Sequence, residues 1–146
     1  MARIEFHFNA PDKLAYACRL LRKAVGSGAR VVVLASADDI AQLDAQLWTF
    51  APLEFVPHAR LDSAPEVLAA SPVLLTDALT RSLPHQEVLL HLGQSAVLGF
   101  EAFARFIEVV GLDEADRQAA RRRWKHYTEQ GHTLLRHDLQ LKESAA

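Results

Sequence analysis

The segment "DRQAARRRWKHYTEQGH", Asp116 to His132, gathers Arg117, Arg121, Arg122, Arg123 and Lys125 around one tryptophan, Trp124. On a helix, at roughly 100° per residue, Arg117, Arg121 and Lys125 share one stripe, with Thr128 beside them. Ala120, Trp124 and Tyr127 form an adjacent apolar stripe that should face the core, which puts Trp124 at the seam. Arg122 and Arg123 point elsewhere and are expected to be solvated. A row of cations beside an aromatic wall suits a peptide that ends in acidic residues, an aromatic side chain and a free carboxylate. The same pattern suits single-stranded nucleic acid, through phosphates and base stacking. It also suits a plain charged helix in water. Geometry on its own leaves all three open.

Other chemistry-bearing residues are scattered. The histidines His7, His58, His85, His91, His126, His132 and His137 show no pair at the spacing of three or four that a helical metal site needs, so no metal is expected. Cys18 falls on the apolar stripe of a helix and reads as a small buried thiol, with no histidine partner evident. A phosphate loop follows a strand and opens a helix. Here "GSG", Gly26 to Gly28, closes a helix and opens a strand, while the turn "FNAPDK" has no glycine. No cofactor and no catalytic constellation are therefore expected. A further cluster, "LWTFAPLEFVPH", brings Trp48, Phe50, Phe55 and Pro57 to a helix end and a loop. Those side chains either pack inward as core or make an exposed patch for a partner.

The elements that would position these groups follow from hydrophobic periodicity. "RIEFHFN" alternates as a strand; "PDKLAYACRLLRKAV" has helical spacing, with Pro11 suited to its first turn. "ARVVVLAS" reads as a strand buried on both faces, and "SADDIAQLDAQLW" as a helix that Ser36 and Asp39 open with a capping box. "LEFVP", "SPVLLTD", "EVLLHLG" and "RFIEVVG" are compact apolar runs, read as strands. The basic segment is a helix capped by Asp113 and ended by Gly131. This order predicts an α/β fold with a mostly parallel sheet flanked by helices. The 146 residues, half of them hydrophobic, suit a single domain over 1–146, with residues 139–146 as a frayed tail. A formal net charge of −2 argues against a protein whose main task is wrapping nucleic acid, so strong direct DNA binding is not expected. One cysteine excludes an internal disulfide framework and fits the cytoplasm. "MARIEFHFNA" does not read as a secretory leader, no apolar run reaches the ~20 residues of a membrane span, and no membrane partner is expected.

With these residues in view, the chain resembles the chi subunit of bacterial DNA polymerase III. Three blocks carry the likeness: "ARVVVLASADDIAQLDAQLWTFAPLEFVPHA", "EVLLHLG" and "DRQAARRRWKHYTEQGH". It runs from Met1 to about Asp138. The resemblance implies a noncatalytic accessory subunit of a nucleotidyltransferase holoenzyme, with a Rossmann-like, mononucleotide-binding type of topology but no nucleotide site. It implies an adaptor in DNA replication. One face would bind the acidic C-terminal tail of the single-stranded-DNA-binding protein, through positions matched here by Arg117, Arg121, Trp124 and Lys125. Where some members carry Lys or Tyr, this chain has Arg117 and Trp124, which keep the charge and the ring. A second face would bind the psi subunit of the clamp loader, or a substitute replisome or repair partner, through positions matched by Trp48, Phe55 and Pro57. The resemblance thus favours the exposed-patch reading of those residues. The alternative is a direct single-stranded nucleic-acid-binding protein, and behind it an enzyme on a mononucleotide-type sheet.

Overall fold

A computed structural model of the chain describes residues 3–49, 56–79 and 83–140. The element order is β1 (Arg3–Ala10), α1 (Lys13–Gly26), β2 (Val31–Leu34), α2 (Ala37–Thr49), β3 (His58–Arg60), α3 (Pro65–Ala70), β4 (Val73–Thr76), β5 (Val88–His91), β6 (Arg105–Gly111), α4 (Glu114–Glu129) and β7 (Leu134–Asp138). A 3-10 turn, Phe100–Ala102, precedes β6. The strands form one seven-stranded sheet in the order β3-β4-β2-β5-β6-β1-β7, and every pairing is parallel. The α/β expectation is met.

Alternation along each strand sorts the core into two layers. Val31, Val33, Leu75, Leu90, Ile107 and Val109 pack toward Cys18 and Leu21 of α1 and Leu43 and Leu47 of α2. Ile4, Phe6, Val32, Leu74, Leu89 and Phe106 pack toward Ala120 and Tyr127 of α4. Cys18 is fully buried, and burial pushes its thiol up to about 11, which keeps it protonated and unreactive at neutral pH.

Helix starts follow side-chain chemistry. The Ser36 hydroxyl accepts the Asp39 N–H at 3.2 Å, as the capping box requires. The Asp113 carboxylate accepts the Asp116 N–H at 3.3 Å and opens α4. At α1 the cap is Asp12, whose carboxylate accepts the Ala15 N–H at 3.1 Å. Pro11 therefore lies just ahead of the helix and not in its first turn. At the other end of α1, Gly28 takes a φ of 85°, the left-handed region that only glycine enters without strain, and turns the chain into β2.

The strand expected from "LEFVP" does not begin there. Leu53, Glu54 and Phe55 lie outside the described residues, Val56 and Pro57 are not in a strand, and pairing starts at His58, just after a proline that has no N–H to give to a ladder. Two elements were not expected, α3 and the edge strand β7. Leu139, at the head of the expected tail, is buried in the α1-side core.

The joint between β6 and α4 is fixed by Asp116. This buried carboxylate accepts the Gly111 N–H at 2.6 Å and pairs with Lys13 at 3.2 Å, which ties the first turn of α4 to the end of β6 and to α1. The orientation of α4 over β1 depends on that joint.

Candidate functional site

On the α4-side face of the sheet, over the carboxyl halves of β1 and β6, α4 and β7 border an open cavity of about 560 Å³. Phe6 and Phe8, two apart on β1, lie on one face of that strand, and Val110 of β6 continues the apolar floor. One wall is α4, which contributes Arg117, Ala120, Arg121 and Trp124. Trp124 is half-buried and meets Phe6 edge-on, with ring centres 5.1 Å apart. The opposite wall is Arg136 of β7, its guanidinium 4.9 Å over the Phe8 ring, with Gln140 beyond it. Asn9 closes the rim. It adopts a φ of 65°, a left-handed conformation that asparagine tolerates, where the β1–β6 register shifts. Its carboxamide accepts from Arg117 at 2.9 Å and donates to Asp138 at 3.0 Å, linking α4 to β7 across β1.

The structure thus brings Arg117, Arg121 and Trp124 into one cavity, with Trp124 at the seam that the helical geometry predicted. Arg121 is 69 % exposed at the rim, within 3.4 Å of Glu114. Lys125 does not line the cavity. It is 79 % exposed and lies 4.0 Å from Glu129, one turn on.

Arg123 corrects the sequence reading. It is 2 % exposed, not solvated, and its Nε donates to Glu108 at 3.0 Å. The inward positions of α4 are Asp116, Ala119, Ala120, Arg123 and Tyr127, a helical stripe that includes Arg123 whatever its charge. Glu108 is fully buried and also accepts from Tyr127 at 2.8 Å, with His91 on its other oxygen at 2.5 Å. Arg123 further donates to the Gln94 carbonyl at 2.8 Å. Burial, and then the Glu108 charge beside it, hold the Tyr127 hydroxyl far above its ordinary pKa, so it remains a donor.

On the opposite face of β1, Glu5, His7 and His137 converge, each histidine 3.2 Å from the same Glu5 oxygen. Sequence spacing could not show this group, because it arises from the pairing of His7 with His137 between β1 and β7. Its donors are of a metal-binding type. Yet Arg105 engages both Glu5 oxygens, at 2.5 and 2.9 Å, and Arg3 approaches at 3.3 Å. Burial alone would raise the Glu5 pKa; His7, Arg105 and Arg3 outweigh it and hold the carboxyl well below the usual range. A carboxylate already surrounded by cations is a poor seat for another.

The second cluster is partly described. Trp48 is 62 % exposed at the end of α2, its ring 5.3 Å from His58 of β3, and Pro57 is exposed beside it. Phe55 and Phe50 lie outside the described residues. The exposed-patch alternative fits Trp48; the core alternative does not. This surface sits at the β3 edge of the sheet and the cavity at the β7 edge, six strand spacings apart, or roughly 29 Å at ~4.8 Å per strand.

A nucleotide reading fares poorly at the carboxyl ends of the strands. The first turn, Ala10 to Leu14, lines a hollow shared with Asp39, Asp113 and Asp116, and the α1 N-terminus is occupied by Asp12 itself. Phosphate would meet carboxylates there.

Residues 1–135 match the profile of the family described as DNA polymerase III chi subunit, HolC. The chain belongs to this family. Curated relatives named DNA polymerase III subunit chi agree. One from Pseudomonas aeruginosa is 35 % identical, covering 95 % of this chain and 98 % of its own. Another from Haemophilus influenzae is 29 % identical, covering 81 % of each. A third, from Escherichia coli, is 28 % identical over 80 % of this chain and 79 % of its own. Within this chi-family chain the cavity residues that the sequence did not disclose include Phe6, Phe8, Asn9 and Arg136. The alternation of Phe6 and Phe8 marked a strand face, but only the β1–β7 register shows what stands beside it.

Proposed function

We propose that this chi-family chain is a noncatalytic accessory subunit of DNA polymerase III in replication, an adaptor with two docking surfaces. The β7-edge cavity takes the acidic C-terminal tail of the single-stranded-DNA-binding protein. The surface of Trp48 and Pro57, together with Phe55, takes psi or a substitute replisome partner. The work is cytoplasmic, and among the described residues no helix is long and apolar enough to cross a membrane.

The observation that carries the reading is the cavity in which Arg117 and Arg121 stand beside the Phe6–Trp124 ring pair. Cations at the rim fit carboxylates and the ring floor fits an apolar terminal side chain. Lys125, carried over from the family, adds charge to the approach and stands outside the cavity. Direct binding of single-stranded DNA is disfavoured by the net charge of −2, which gives a polyanion no long-range attraction.

The test uses purified single-stranded-DNA-binding protein, intact and with its acidic tail removed. Immobilised wild-type chain should retain the intact form and lose the truncated one, and Arg121→Ala should weaken retention about tenfold. Equal retention of the two forms would reject the tail as the ligand.

A further inference from the structure

Arg136 is a cation that the α4 stripe does not contain. It stands on the edge strand β7, directly paired with Phe6 in the β1–β7 register, and so next to the part of the cavity floored by the Phe6–Trp124 ring pair. Its guanidinium lies on the face of Phe8, 4.9 Å from the ring centre, and no carboxylate of the described residues engages it. The other two arginines of the cavity are differently placed. Arg117 is tied to the Asn9 carboxamide at 2.9 Å, and Arg121 lies at the solvent rim, 3.4 Å from Glu114.

We infer that Arg136 receives the α-carboxylate of the last residue of the bound peptide, while that residue's side chain lies in the cavity against the Phe6–Trp124 ring pair. The inference rests on the proposed tail-binding reading and assigns the direction of the peptide within the same cavity. A terminal carboxylate is joined to the Cα that carries the terminal side chain, so it must lie beside the ring floor and not along the rim. Arg136 is one strand spacing from Phe6, about 4.8 Å, and its planar fork meets a carboxylate with two parallel hydrogen bonds. Stacking on Phe8 fixes the fork in advance and lowers the ordering cost of binding. Arg121, at the rim on the α4 side, takes the side-chain carboxylates that precede the last residue. A tail with its final carboxyl blocked would lose the Arg136 contact and keep the Arg121 contact.

The test is a fluorescence-anisotropy titration with a short aspartate-rich synthetic peptide ending in phenylalanine, as free acid and as C-terminal amide. Wild type should bind the free acid at least about tenfold more tightly than the amide. Arg136→Ala should bind the two forms alike, at the level wild type shows for the amide. Arg121→Ala should bind both more weakly while still preferring the free acid. Arg136→Lys, with its charge kept and its fork lost, should prefer the free acid by less than wild type. Thermal melts of each variant establish that it is folded. Wild-type preference for the acid that survives in Arg136→Ala overturns the inference and leaves the tail-binding reading intact. Failure of wild type to bind either form rejects both.

Discussion

Arg123 and Glu108 show how one buried charge pair sets a helix in place. Glu108 is fully buried and receives Arg123, Tyr127 and His91, so every approach to its oxygens comes from protein. Removing one partner of such a pair leaves an uncompensated charge in the interior, which costs more than the pair itself is worth. Arg123→Ala is expected to destabilise the fold by about 3–5 kcal/mol in a urea titration. Arg122→Ala, one position away but exposed, should stay within about 0.5 kcal/mol. Similar losses for the two would mean that the Glu108 network contributes nothing particular. The sequence presents the two arginines as equals. They are separated by their phase on α4 relative to Asp116, Ala120 and Tyr127, a phase the apolar stripe revealed and the charge of Arg123 obscured.

Among the elements, β1 carries most of the construction. Its even-numbered face supplies Phe6 and Phe8 to the cavity, and its odd-numbered face supplies Glu5, which Arg105 of β6 and His137 of β7 grip from either side. Because the Glu5 pKa is depressed in the folded chain, its contribution to stability is present above the unfolded carboxylate value near 4.5 and is lost as pH falls toward the folded value. Stability should decline through mild acid, and Glu5→Gln should be less stable at neutral pH with a shallower acid decline. Parallel pH curves for wild type and Glu5→Gln would contradict this. The clamp adds to the β1 pairing, the Asn9–Asp138 hydrogen bond and the Arg136–Phe8 contact that hold β7. Its burial pattern is largely exposed and shows no alternation, so hydrophobic periodicity gave no sign of it. The buried strands β2, β4, β5 and β6 and the helices α1, α2 and α4 were legible because each carries a clear apolar period or a cap. The α4 wall of the cavity was legible for the same reason. Arg136 was not, because its place beside Phe6 is a matter of register between strands far apart in sequence.

Over the whole molecule, the parallel sheet separates two surfaces. Trp48 and Pro57 lie at the β3 edge and the cavity lies at the β7 edge, far enough apart for two partners to bind at once. With a net charge of −2, attraction of anions is confined to contact range, where the arginines of the cavity act. A short acidic peptide and a polyanion should therefore be told apart by this surface, and one fluorescence titration compares them most directly. Its three probes are the acidic peptide with its terminal aromatic residue, the same peptide lacking that residue, and a single-stranded oligonucleotide. The intact peptide should bind most tightly and weaken as salt rises, and loss of its last residue should cost at least about tenfold because the ring fills the desolvated floor. Tighter binding of the oligonucleotide than of the peptide, with the shortened peptide binding as well as the intact one, would contradict the adaptor reading.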